Sequence, residues 1–106
     1  MADELRNLDS DFLQKVSPIL REAGFSDEKE ALKEQALMLL MCKVSRYQAE
    51  CAFFEEKYGM SFEEFTSRVQ VTGEENFEED DDFLDWRFTR ESLADLRHRL
   101  QELKHA

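Results

Sequence analysis

The chain has 106 residues, with 25 acidic and 14 basic side chains and a formal net charge of -11. It is 37% charged and 42% hydrophobic, with three Gly and one Pro, and so few breakers exclude an all-β fold in favour of long helices in one domain. The charge argues against direct nucleic-acid binding, which needs clustered Lys and Arg, and the longest apolar run, Ala36 to Cys42, is far short of the ~20 residues that span a bilayer.

Residues 1–25 form an N-terminal helical segment. The sequence opens M-A-D-E-L-R-N-L-D, without the basic and apolar regions of a secretion signal, which points to a cytoplasmic protein. Leu5, Leu8, Phe12, Val16 and Ile19 keep a helical spacing. Ser17-Pro18 has the form of an N-cap followed by proline at the first helical position, and Gly24 that of a terminator. One helix to Val16 with a short one from Pro18 to Ala23, or a single kinked helix, both satisfy the pattern.

Residues 26–106 read as a long helical hairpin. Asp27-x-x-Glu30 is a capping box ahead of a run without glycine until Gly59. Within it Leu37, Leu40, Val44, Tyr47, Cys51, Phe54 and Tyr58 recur at spacings of three and four, a coiled-coil-like seam widened by Met38, Met41 and Ala52. A helix from 27 to 58 is ~48 Å long, too long to be wrapped by its own chain when the radius of gyration is ~13 Å. It therefore packs lengthwise on another long helix, of the same chain or of a second subunit. Around Ala36–Cys42 the helix is apolar nearly all round, which calls for cover on all sides. A homodimer through Leu37, Met38, Leu40, Met41 and Val44 meets that need. Cys42 and Cys51 lie ~180° apart on this helix and are expected to be buried reduced thiols. His98 and His105 lie ~10 Å apart in rise and form no chelate.

Four signals mark a corner in K-Y-G-M-S-F-E-E-F (Lys57 to Phe65). Gly59 suits the left-handed end of the long helix. Ser61 and Glu64 form a capping box, and Met60 and Phe65 occupy the two positions of a hydrophobic staple. A helix to about Gln70 follows, then an acidic loop over 71–80. A last helix from about Asp81 to Leu103 has Trp86, Leu93, Leu96, Leu100 and Leu103 as its seam, with Thr89 in place of one apolar residue.

Residues 74–85, E-E-N-F-E-E-D-D-D-F-L-D, hold eight acids and no base, and so supply -8 of the net -11. A solvated helix start accounts for part of this. Asp80-x-Asp82 resembles the opening of a calcium loop but lacks its Gly and distal Glu, so no metal site is assigned. Glu74-Glu75-x-x-Glu78 and Glu79-x-x-Asp82 match the E-E-x-x-E and E-x-x-D motifs of Mg²⁺-dependent all-α nucleoside-triphosphate pyrophosphatases, yet they abut where that chemistry needs them on facing helices. Aromatic residues among the acids favour protein recognition, in which carboxylates steer and rings anchor. The candidate partner-binding set is Glu74, Glu75, Phe77, Glu78, Glu79, Asp80, Asp81, Asp82, Phe83 and Trp86, with a core position as the other reading of Trp86.

At F-F-E-E-K-Y-G-M-S-F-E-E-F (Phe53 to Phe65) the chain resembles a family of small acidic helical proteins of archaea and bacteria, and the likeness runs on through D-D-F-L-D-W (Asp81 to Trp86) and the Leu-rich end, over roughly residues 30–103. Most members are called hypothetical, and many look like antitoxins encoded beside a small, often ribonuclease-like toxin. The resemblance implies toxin neutralisation by direct binding; the acidic charge, which suits a basic partner, the long helices and the lack of an evident catalytic set agree with it, and no cofactor is expected. No basic recognition helix is present for repression of an operon. The expectation is an all-α protein of three to five helices acting as an interaction module. The alternatives are the pyrophosphatase and a structural homodimer.

Overall fold

The computed structural model describes residues 2–73 and 76–106, with side chains from Ser10 onward except at Thr72. The described residues form helices α1 (Ala2–Glu22), α2 (Glu28–Tyr58), α3 (Phe62–Thr72) and α4 (Phe77–Lys104), and no strand. Contacts gather into two units, residues up to Met38 and residues from Leu39 onward, with α2 passing from one to the other.

In the first unit α1 runs unbroken through Pro18, so the division near Val16 does not occur. A proline inside a helix costs about 3 kcal/mol, chiefly one lost hydrogen bond and a clash with the preceding turn. Ser17 does not cap; its hydroxyl donates to the Glu28 carboxylate across the turn, which holds that carboxyl below its usual range. The covered positions are Leu13, Val16, Ser17 and Leu20, whereas Phe12 and Ile19, expected on the inner stripe, are exposed. The helix ends at Gly24 (φ 100°), where the Gly24 N–H donates to Arg21 O and the Phe25 N–H to Leu20 O, both at 3.0 Å. These are the two bonds of a Schellman ending. Asp27 caps α2, its Oδ1 accepting from the Glu30 N–H at 2.7 Å. The Glu30 side chain reaches back one residue further than a capping box requires, accepting from both the backbone and the hydroxyl of Ser26.

In the second unit α2 and α4 pack as an antiparallel hairpin. Glu50 meets Thr89, Phe54 meets Trp86 and Lys57 meets Asp82, each step forward on α2 matching one back on α4. The seam positions of α2 from Leu40 to Tyr58 are buried or half-buried, as are Trp86, Thr89, Leu93, Leu96, Leu100 and Leu103 of α4. Thr89, buried at the apolar gap in the pattern, donates from Oγ1 to Glu50 Oε2 at 3.1 Å.

The corner follows its sequence signals. Gly59 adopts φ 66°, its N–H donates to Glu55 O at 2.7 Å, and the space around it is open, so the dihedral rather than crowding requires glycine. Ser61 Oγ accepts from the Glu64 N–H at 3.2 Å, and Met60 packs on the cluster containing Phe65. Here α3 lays a third layer on the hairpin. Phe65 and Trp86, 0% and 1% exposed, lie 5.5 Å apart; Phe54 stacks on Trp86 at 5.5 Å and Tyr58 meets Phe65 at 4.3 Å. Ion pairs fasten α3 to α4 at Glu63–Arg90 and Arg68–Glu79, both 2.7 Å.

The expected loop over 71–80 is helical at both ends: α3 continues to Thr72, Gly73 (φ 59°) closes it, and α4 begins at Phe77, four residues before Asp81. Asn76 caps α4 by accepting from the Glu79 N–H at 3.1 Å. Of the acids that resemble a solvated loop, Glu78, Glu79 and Asp80 occupy the first helical turn, where the helix dipole favours negative charge.

Candidate functional site

The acidic start of α4 carries most of the candidate partner-binding residues, and its helical phase divides them. Glu74 and Glu75 lie outside the described residues. Glu78, Glu79 and Asp82 are turned toward the chain's own cations. Lys57 Nζ lies 2.8 Å from Glu78 Oε1 and 2.6 Å from Asp82 Oδ2, and the Tyr58 hydroxyl donates to the same Asp82 oxygen. Arg68 holds Glu79.

The electrostatics follow the geometry. Burial by itself raises the Asp82 carboxyl, but the bonds from Lys57 and Tyr58 outweigh it and leave Asp82 below its usual range. Hydrogen bonds to Asp82 and then Glu78 raise Lys57, so it stays charged. Burial, then the bond to Asp82, pushes the Tyr58 phenol up to about 12. Lys57 and Arg68, which hold these carboxylates, do not stand out in the charge run itself. The signal was available: Lys57 sits in the last turn of α2, which an antiparallel hairpin brings level with the first turns of α4.

The aromatic residues divide in the same way. Trp86 is a core residue and is not available to a partner. Phe83 is half-buried and stacked on Phe62 at 5.7 Å. Phe77 is 76% exposed. Asp80, Asp81 and Leu84 are also exposed and share its side of the helix, so the outward face of these turns is apolar and acidic with no base.

The expected dimer residues are likewise divided. Met38 and Met41 are exposed, but Leu37, Leu40 and Val44 are half-buried, because they continue the seam side of α2 rather than its outer side. Cys42 is exposed, contrary to expectation, and Cys51 is half-buried with its thiol pushed up by desolvation.

Two open grooves flank the hairpin. One, about 470 Å³, lies on the α3 side and includes Cys51, Trp86, Arg90 and Arg97 in its lining. The other, about 550 Å³, lies on the opposite side over Phe54 and Thr89, with Phe53 and Phe88 at its walls. Among the described residues no group of three or more His, Cys, Asp or Glu is placed to hold a metal ion. Glu78, Glu79 and Asp82, from both candidate pyrophosphatase motifs, sit on one helix rather than on two facing ones. Among the described residues no helix is long and apolar enough to cross a membrane. No family model, curated protein or solved structure matches the chain.

Proposed function

We propose that this chain is a non-catalytic protein–protein interaction module of the cytoplasm, whose docking element is the start of α4 and whose partner is a basic protein. The observation that carries the reading is the division of labour in the first turns of α4. Glu78, Glu79 and Asp82 are fastened to Lys57, Arg68 and Tyr58, while Phe77, Asp80, Asp81 and Leu84 face outward. The inward bonds hold the helix in place before any partner arrives, so little ordering cost remains at binding. The outward carboxylates steer a cationic surface and Phe77 supplies an apolar anchor.

Within that class, the resemblance of roughly residues 30–103 to a family in which many members look like antitoxins favours a narrower reading: an antitoxin that fills the substrate cleft of a basic ribonuclease-like toxin and touches no nucleic acid itself. Co-expression with the product of the adjacent gene tests it. The expected result is a co-purifying complex and relief of growth arrest, both lost in Phe77→Ala combined with Asp80→Lys and Asp81→Lys. A neighbour that neither binds nor arrests growth rejects the antitoxin reading. Pyrophosphate release from a nucleotide panel, abolished by Glu78→Gln, rejects the non-catalytic one.

A further inference from the structure

We propose that the face of the α2–α4 hairpin opposite α3 is the seat of a second copy of this chain, giving a four-helix bundle from two hairpins. The proposal is independent of the antitoxin reading and concerns a different surface. On the α3 side, Phe62 and Phe65 close over Trp86. On the other side nothing among the described residues plays that part. Phe53 and Phe88 stand 59% and 62% exposed across the open groove, although Phe54 and Thr89 at its floor are buried. Two large rings left in water on either side of a groove form an apolar strip that a helix pair would cover.

The charge pattern selects the occupant. The α2 edge of this face carries Lys43 and Arg46 beside Glu50, which Thr89 engages, and the α4 edge carries Asp85, Glu91 and Asp95 against a single base, Arg99, so the two edges differ in the sign of their net charge. Among the described residues Lys43, Arg46, Asp85 and Glu91 form no ion pair, and Asp95 has only a long contact of 3.9 Å to Arg99. A face with a basic edge and an acidic edge is complementary to itself when turned about a two-fold axis along the helices. That axis puts α2 of each copy over α4 of the other at unchanged height.

The register of the hairpin then fixes who meets whom. Glu50 is level with Thr89 and Phe54 with Trp86. One turn further along, Arg46 is level with Leu93–Ala94, so in the dimer it falls between Glu91 and Asp95 of the other copy. Phe53 falls within about 2 Å of the height of Phe88. The seat chosen differs from the dimer residues read from sequence, because Leu40 and Val44 serve the seam. About 12 residues of each helix contribute, Lys43–Phe54 and Asp85–Leu96, a footprint on the order of 18 Å by 20 Å. That is smaller than a permanent dimer buries, so the association is reversible.

Sedimentation and light scattering across a roughly hundredfold range of concentration test it. The wild type is expected to pass from monomer to dimer. Phe53→Ser and Phe88→Ser are each expected to shift that transition to higher concentration while circular dichroism keeps its helical signal. The decisive pair is Lys43→Glu/Arg46→Glu and Glu91→Lys/Asp95→Lys. Each alone repels itself and stays monomeric, and their equimolar mixture forms a one-to-one heterodimer by native mass spectrometry. A wild type that stays monomeric throughout, or reversal variants that dimerise as well alone as mixed, overturns the proposal.

Discussion

The two ends of the α2–α4 hairpin are built from the same kinds of residue and reach different degrees of closure. Near the corner, α3 adds a third layer, and Phe65 and Trp86 are lost to solvent entirely or nearly so. Farther along, Val44, Tyr47, Leu100 and Leu103 occupy equivalent seam positions and remain half-buried. Two helices side by side cover only one stripe of each other; a third element is needed before a large ring is enclosed. Stability in this chain is therefore expected to be concentrated in residues 54–86 and to thin out toward the far end.

The largest effect should come from the enclosed end. Trp86→Ala removes the ring on which Phe54, Phe62 and Phe65 all pack. It should cost about 3–5 kcal/mol, enough to unfold much of a domain whose total is ~5–15 kcal/mol. Leu100→Ala, at the half-open end, should cost about 1–2 kcal/mol in the same chemical denaturation experiment. Equal losses at the two sites would erase the contrast. Gly59→Ala comes next: with open space around the position but φ 66°, the whole penalty is backbone strain of about 1–2 kcal/mol, read as a lowered Tm. Ser61→Ala removes the cap of α3 and should cost about 1 kcal/mol.

The finest test is pH. Tyr58 has its phenol raised to about 12, so its contribution is intact below the ordinary phenol range near 10 and is lost as pH rises through about 12. Absorbance titration should show a late phenol step that is absent in Tyr58→Phe. Asp82 is shifted the other way. Its contribution is present above the ordinary carboxylate range and lost as pH falls through its depressed value. The stability gap between wild type and Asp82→Asn should therefore close on acidification, measured by urea midpoints at stepped pH.

Much of this architecture was legible because its signals are local. The seam of α2, the corner at Gly59 and Ser61, and the polar Thr89 within the α4 seam each follow from spacing or from one residue's conformational preference. The start of α4 was obscured because one asparagine, Asn76, decides whether the acids after it form a loop or a first turn. The covered side of α1 was misread for another reason. Its apolar residues permit two neighbouring stripes, and the turn to α2, with Ser17 bound to Glu28, decides between them. At the candidate site, the charge run and Phe77 were visible in the sequence. Which acids face Lys57 and Arg68 was not, because that depends on helical phase set by a cap and on residues more than ten positions away.

The bond from Thr89 to Glu50 has one further consequence. A zipper of leucines and aromatics repeats along its own length, so two such helices can slip past one another by a turn, about 5.4 Å, and still match oil with oil. Slippage by that amount would strand the threonine hydroxyl against hydrocarbon and deprive the glutamate of its donor. A single polar rung thus works as a detent, at some expense in adhesion. Thr89→Leu is expected to tighten the hairpin while allowing it more than one alignment, seen as doubled resonances for the aromatic side chains.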